Sequence, residues 1–195
     1  PIPHLLEQAV YGLPELHRVA IKQASLVANP GCFPTAALIA LAPAVREGLV
    51  ANDIIVDAKS GISGAGRGGL ATNIMDQFAE ANENAMAYGL EGHGHQPEIA
   101  QELAALREAD SAKVTFIPHR IPMTRGILAT CYAPLVNKSI GKQQARELYQ
   151  EFYRGNPYVR VTDTPPQTKH TMGTNMCLVY PVVDEQANRL ITISC

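Results

Sequence analysis

A single cysteine sits where this chain could do covalent chemistry. In Val27-Ala28-Asn29-Pro30-Gly31-Cys32-Phe33-Pro34-Thr35, Cys32 follows Pro-Gly and precedes a proline able to serve as the first residue of a helix. The run from Thr35 to Arg46 is apolar nearly all round, which predicts a buried helix with a firmly held start. Unpaired N–H groups there, together with the helix dipole, favour negative charge. A thiol at that point is expected to lose its proton more easily, and the same N–H groups could hold an oxyanion once a carbonyl is attacked. A small buried hydrophobe is the alternative fate of such a cysteine.

Two histidines come next in chemical interest. In His93-Gly94-His95-Gln96-Pro97-Glu98-Ile99, Pro97 can start a helix whose apolar positions Ile99, Leu103 and Leu106 recur at i, i+4 and i+7. Both imidazoles then precede a helix start, where positive potential disfavours imidazolium and leaves a neutral, base-competent ring. A zinc pair is a rival reading of H-x-H, but no nearby Cys or carboxylate cluster supports a metal. Ordinary surface histidines are the other alternative. Lys59-Ser60-Gly61-Ile62-Ser63-Gly64-Ala65-Gly66-Arg67 is the glycine-dense stretch, whose backbone could approach a ligand and whose successive N–H groups could cup an anion. It matches neither a P-loop nor G-x-G-x-x-G, and a flexible surface turn is the alternative. His119, Arg120 and Arg125 lie in a connection stiffened by Pro118 and Pro122 and could hold an anionic group, with solvated loop charge as the alternative.

The elements that must position these residues are legible around them. Ser25–Ala28 reads as a strand feeding the cysteine turn, and the buried helix should end near Gly48. Asp53–Ala58, Lys113–Ile117 and Ile127–Val136 read as strands, and residues 70 to 92 as polar and irregular. Gln143–Arg154 is an amphipathic helix with Ala145, Leu148, Tyr149, Phe152 and Tyr153 on one face, a stripe for core packing. Val159–Val161, Cys177–Val183 and Arg189–Ser194 are further strands, the last two forming a hairpin across Asp184–Asn188. The expected class is α+β, a largely antiparallel or mixed sheet with helices on one face. An open sheet face needs cover, so a dimer is expected.

Composition narrows the function. With 195 residues, 46% hydrophobic and 17% charged, the chain suffices for one domain, 1–195, with a real core. A net charge of −2 without a basic patch argues against nucleic acid, and no apolar run reaches a membrane span. The four cysteines show no paired metal spacing, and without a secretion signal a reducing, cytoplasmic compartment is expected. A chain that opens on Pro1 rather than Met reads as a fragment.

Several motifs coincide in order: Ala9-Val10-Tyr11-Gly12-Leu13-Pro14-Glu15, the Asn29–Thr35 turn, Ser60–Arg67, Glu80-Ala81-Asn82-Glu83-Asn84, His93–Ile99, Pro122-Met123-Thr124-Arg125-Gly126 and Gly173-Thr174-Asn175. Together they resemble the N-acetyl-gamma-glutamyl-phosphate reductases of arginine biosynthesis, relatives of aspartate-semialdehyde dehydrogenase, over essentially the whole chain. The resemblance implies a fold similar to the C-terminal domain of glyceraldehyde-3-phosphate dehydrogenase. It also implies NADPH-dependent reduction of N-acetylglutamyl phosphate by a homo-oligomer, dimer or tetramer. Cys32 would attack the acyl carbonyl and form a thioester, with His93 or His95 as acid/base and His93 slightly preferred. Asn29, Gly31, Arg125 and His119 would contact substrate. Ser60, Gly61, Ser63, Gly64, Ala65, Gly66 and Arg67 would approach the cofactor and the reacting phosphate.

Three departures stand out. The family's N-terminal dinucleotide-binding domain has no counterpart in these residues, so the isolated domain is expected to be inactive. Gly94 replaces the arginine of a usual His-Arg-His, and Leu178 stands where the family more often carries an acid. A non-catalytic dimerisation module without cofactor binding is the competing expectation.

Overall fold

The computed structural model describes residues 2–72, 77–136 and 140–195. A 3-10 turn (Pro3–Gln8) leads into strand β1 (Ala9–Tyr11), helix α1 (Pro14–Gln23) and strand β2 (Leu26–Ala28), and β2 pairs parallel with β1. Helix α1 has Pro14 in its first turn and a non-helical residue, His17, inside it. None of its residues is buried.

Helix α2 (Cys32–Arg46) follows the cysteine turn, three residues earlier at its start than the sequence implied. Pro34 causes no break, because the first four N–H groups of a helix have no intrahelical partner to lose. The helix stops where expected: Gly48 adopts φ +64°, and the Leu49 N–H donates to the Ala44 carbonyl at 2.9 Å. Strand β3 (Ile54–Ser60), a 3-10 turn (Ile62–Ala65), α3 (Gly66–Thr72), α4 (Phe78–Ala81) and strand β4 (Met86–Ala87) come next. The stretch read as irregular thus contains short elements, while positions 73–76 lie outside the described residues. Helix α5 (His95–Leu106), strands β5 (Val114–Arg120) and β6 (Ile127–Pro134), helix α6 (Lys142–Phe152), strand β7 (Val159–Val161), helix α7 (Thr168–Thr171) and strands β8 (Cys177–Asp184) and β9 (Arg189–Ser194) complete the chain.

The main sheet has seven strands in the order β4-β5-β3-β6-β9-β8-β7. Pairs β3–β5 and β7–β8 are parallel and the others antiparallel, so the sheet is mixed, as expected. Helix α2 packs on β6, β8 and β9 and against α5 and α6. The sheet face beneath it is buried at Ile54, Val56, Ala58, Ala129, Cys131 and Leu190. On the opposite face, Ile55, Tyr132, Ile191 and Val182 form one cross-strand row and are only half-buried.

Every residue of α2 from Phe33 to Val45 except Thr35 is buried. Its alanines let the backbone lie close to the sheet, but Pro43 removes the N–H that would have bonded the Ile39 carbonyl. Tyr153, just past α6, donates its hydroxyl to that carbonyl at 2.5 Å. Tyr149 donates to the Ala40 carbonyl at 2.8 Å, and Ser194 to the Ala36 carbonyl at 2.8 Å. The aromatic stripe of α6 is core, as the sequence suggested, and it also satisfies the broken stretch of α2. Tyr153→Phe is expected to lower unfolding stability by about 1–3 kcal/mol, because it leaves a buried carbonyl unpaired. A urea melt with an unchanged midpoint would show that Ile39 finds another donor.

Candidate active site

Cys32 is the first residue of α2, with Gly31 as N-cap. The backbone N–H groups of Cys32 and Phe33 act to lower the thiol pKa, as a helix start should. The net effect on the thiol is nevertheless opposite to the sequence expectation. The residue is exposed overall, but packing around the sulfur raises the thiol pKa above its ordinary value. The two N–H groups only partly offset that burial, and the Glu98 carboxylate adds to the rise. Desolvation of a developing anion here outweighs the helix end.

Glu98, which the sequence did not single out, ties the site together. Its Oε1 accepts from the Gly31 N–H at 2.8 Å and from the Tyr11 hydroxyl at 2.7 Å. One turn further along α5, Glu102 Oε2 lies 2.7 Å from His17 Nε2. Two carboxylates on one face of α5 therefore hold the segment that enters the cysteine turn.

The histidine pair straddles the start of α5. His95 is its first residue and Gly94 its N-cap, so the helix begins two residues before Pro97. The His95 ring lies directly against Gly31: a Cβ there would stand 2.5 Å from Nε2, which only glycine avoids. The His95 N–H donates to His93 Nδ1 at 3.1 Å, so a neutral His93 carries its proton on Nε2. The ring centroids of His93 and His95 are 4.7 Å apart, and Phe116 and Tyr88 flank His93 at 5.1 and 5.7 Å. Burial lowers both pKa values, with the charge of His95 adding to the effect at His93 and Glu98 opposing it at His95. Both shifts favour the neutral ring, and burial rather than the helix end is the leading cause.

Cys32 stands between two hollows. On one side is a 240 Å³ recess that it shares with Ser60, Gly61, His93, His95 and Arg120. On the other is a 620 Å³ cleft bordered by Asn29, Thr35, Thr174 and Asn175. A larger hollow of 940 Å³ shares only His93 with the recess. Gly64 and Ala65 also line the recess, whereas Ser63, Gly66 and Arg67 are exposed and lie outside its lining.

The glycine-rich loop does not cup an anion with its first amides. The N–H groups of Gly61, Ile62 and Ser63 donate to the carbonyls of Gly126, Met123 and Thr124 at 2.9–3.0 Å, and that of Gly64 donates to Gly61 at 3.3 Å. A Cβ on Gly61 would meet Met123 O at 2.8 Å, so glycine serves there to clamp the two loops together. Arg125 is exposed in that second loop, outside the recess lining. His119 sits on the half-exposed sheet face, its Nδ1 3.1 Å from Asp57 Oδ1, with Lys59 Nζ 2.5 Å from Asp57 Oδ2. Arg120, one residue on, lines the recess instead. Among the described residues no group of three or more His, Cys, Asp or Glu side chains could hold a metal ion, and no helix is long and apolar enough to cross a membrane.

With a raised thiol pKa, alkylation of Cys32 by iodoacetamide is expected to accelerate about tenfold per pH unit from pH 7 to 8.5. Glu98→Gln should speed it at fixed pH, since the variant removes a negative charge and keeps an acceptor for Gly31. Peptide mass spectrometry reads both, and a rate plateau below pH 8 would contradict the burial argument.

Comparison with known proteins places this geometry. The profile of the family described as semialdehyde dehydrogenase, dimerisation domain, matches residues 32–195. An N-acetyl-gamma-glutamyl-phosphate reductase of Dehalococcoides mccartyi is 51% identical over 195 residues, covering 100% of this chain and 56% of that protein. One of Pelotomaculum thermopropionicum is 49% identical over 193 residues, covering 97% of this chain and 54% of that protein. The chain thus spans little more than half the length of the curated relatives it matches. Aspartate semialdehyde dehydrogenase II of Vibrio cholerae shares the fold with a TM-score of 0.71 at 18% identity, covering 97% of this chain and 63% of that one. By the reach of the family profile and the agreement of fold, the chain belongs to the semialdehyde dehydrogenase dimerisation-domain family.

Proposed function

We propose that this chain is the catalytic and dimerisation part of an NADPH-dependent N-acetyl-gamma-glutamyl-phosphate reductase, acting in the cytoplasm. One observation carries the reading: Cys32, at the fixed start of α2, shares a small recess with two neutral imidazoles. Its thiol is hard to ionise unaided, so attack on an acyl phosphate requires a base. We assign that role to His95 rather than to His93, which the resemblance slightly preferred, because its ring packs against Gly31, the residue before Cys32, and lines the same recess. The thiolate adds to the acyl carbonyl, and collapse of the adduct expels phosphate and leaves a Cys32 thioester. The N–H groups at the start of α2 and the Nε2–H of neutral His93 are the donors available to the carbonyl oxygen as it gains charge. When bound, NADPH supplies the hydride that takes the thioester down to the aldehyde level. His95 then handles the hydroxyl proton as the thiol is released and N-acetylglutamate semialdehyde departs.

The donor set fits such a cofactor at its reacting end only. A 240 Å³ recess is too small for a dinucleotide, but the 620 Å³ cleft presents Asn29, Thr174 and Asn175 alongside apolar Ile39 and Ile127. Those residues suit a carboxamide-bearing ring, while Ser60, Gly61, Gly64 and Ala65 wall the recess where the acyl phosphate reacts. All four cysteines are free, as a reducing compartment keeps them. The half-exposed row Ile55, Tyr132, Ile191 and Val182 fits a second copy of the chain, in keeping with the family's description.

In the full-length protein Cys32→Ala should reduce kcat by more than about a thousandfold with an unchanged circular dichroism spectrum. Turnover that survives the substitution would remove Cys32 from the mechanism. Tyr132→Arg is expected to convert the oligomer to a smaller species by light scattering, and an unchanged mass would place the interface elsewhere.

A further inference from the structure

The reaction proposed above takes up one proton for each acyl phosphate reduced, and the recess beside Cys32 is a poor place to keep it. Acylation itself is balanced: the proton that leaves the thiol passes through His95 to the departing phosphate. Hydride addition to the thioester then forms a C–H bond and pushes the carbonyl electron pair onto oxygen, and sulfur must regain a proton before the next turnover. That proton comes from solvent and has to rest on a base beside the sulfur. Burial, however, pushes both imidazoles of the recess toward the neutral form.

Glu98 opposes that burial at His95. It stands three residues further along α5, so the two side chains are neighbours on one face of the helix. Gly31 lies between them. Its N–H donates to Glu98 Oε1 at 2.8 Å, and its Cα faces the imidazole so closely that a Cβ would stand 2.5 Å from His95 Nε2. The other ring nitrogen, Nδ1, is buried and has no hydrogen-bond partner among the described residues. An imidazolium here is therefore stabilised by charge acting across Gly31 rather than by a hydrogen-bonded counter-ion.

The remaining groups around the ring do not supply that charge. Cys32 on α2 and Tyr11 on β1 are kept protonated, burial pushing thiol and phenol upward. His93 ahead of α5 and Arg120 on β5, which line the recess with His95, are neutral or positive. Glu102, one turn on, is engaged with His17. Glu98 favours the charged form of His95.

Resting on the function proposed above, we infer that Glu98 is the positioning residue that keeps a proton on His95 through the reductive half of the reaction. His95 gives this proton to the oxyanion as the thiohemiacetal forms. The same ring then carries it from the hydroxyl to sulfur as the C–S bond breaks. Glu98 acts through His95 and touches no reacting atom. Because its charge also opposes the Cys32 thiolate, one carboxylate hinders the first half of the reaction and favours the second.

The test joins a histidine titration to a pH profile, both on the full-length protein. Glu98→Gln removes the charge but keeps an oxygen to accept from Gly31 and Tyr11, as a single oxygen does now. With isotope-labelled histidine, the NMR signal of His95, identified by its loss in His95→Gln, should titrate at lower pH in Glu98→Gln than in the unaltered protein. The imidazolium is then lost at lower pH, so Glu98→Gln should oxidise NADPH at least about threefold more slowly at pH 8 and approach the unaltered rate toward pH 6. Phosphate release in the first turnover should be no slower than in the unaltered protein. Glu98→Asp, with the charge on a shorter arm, should keep its rate profile nearer the unaltered one than Glu98→Gln does. An unchanged His95 titration in Glu98→Gln overturns the inference and leaves Cys32 as nucleophile. A shifted titration with an unshifted rate profile also overturns it, as does a profile displaced further by Asp than by Gln, which would reduce Glu98 to a hydrogen-bonding brace. An unaltered full-length protein that releases no phosphate from N-acetylglutamyl phosphate brings down the reductase reading, and the proton's task with it, whatever the titration shows.

Discussion

The burial of α2 is the constraint on which everything else depends. A helix wrapped by protein along twelve of its fifteen residues cannot shift by a fraction of a turn without opening its whole contact surface. Its first residue is the candidate nucleophile, so the sulfur inherits that immobility. The helix is also internally flawed, because Pro43 leaves a carbonyl without its usual partner deep in the core. Hydroxyls from Tyr149, Tyr153 and Ser194 reach its carbonyls from outside, and that is how α6 and the last strand become joined to the helix. The apolar packing sets where α2 lies, and the polar bonds at Ala36, Ala40 and Ile39 fix its rotation.

The chemistry at the helix start is a balance of opposed effects. Backbone N–H groups favour a thiolate, while low hydration and a carboxylate beside Gly31 disfavour it. The same carboxylate favours protonation of His95, which burial opposes. The outcome is a protonated thiol next to neutral bases, an arrangement in which the proton moves only when substrate supplies a reason for charge to develop. Aromatic rings from Phe33, Tyr88 and Phe116 pack against the half-buried imidazoles and contribute to the burial that sets that balance.

Much of this architecture was legible from periodicity and punctuation. The buried helix, its stop at Gly48, the amphipathic α6 and the β8–β9 hairpin all follow from apolar spacing and turn residues. The errors have particular physical causes. Pro118 and Pro122 made 118–126 read as a connection, although β5 continues through Pro118 to Arg120. Once that strand is extended, period-two alternation alone separates His119 from Arg120, sending one to the open sheet face and the other to the recess. Helix α1 was not marked from the sequence, although Leu16, Val19 and Ala20 recur at helical spacing; in the fold none of its residues is buried. The direction of the thiol shift could not be read at all, since desolvation and the approach of Glu98 are created only by tertiary packing. Glu98 itself looked like an ordinary first-turn acid of a helix.

One oxygen of that carboxylate accepts from both Tyr11 and Gly31, and this has a mechanical corollary. Tyr11 belongs to the small parallel ribbon β1–β2, Gly31 to the cysteine turn, and Glu98 to the helix that begins with His95. Strain applied to the ribbon by any body docking on it therefore reaches sulfur and imidazole through a single shared atom, without that body touching either. Parting any one of these three segments leaves half-buried donors or a carboxylate without partners, a cost of about 1–3 kcal/mol for each group left unpaired. The junction can in this way report to the reacting atoms whether the ribbon is correctly seated.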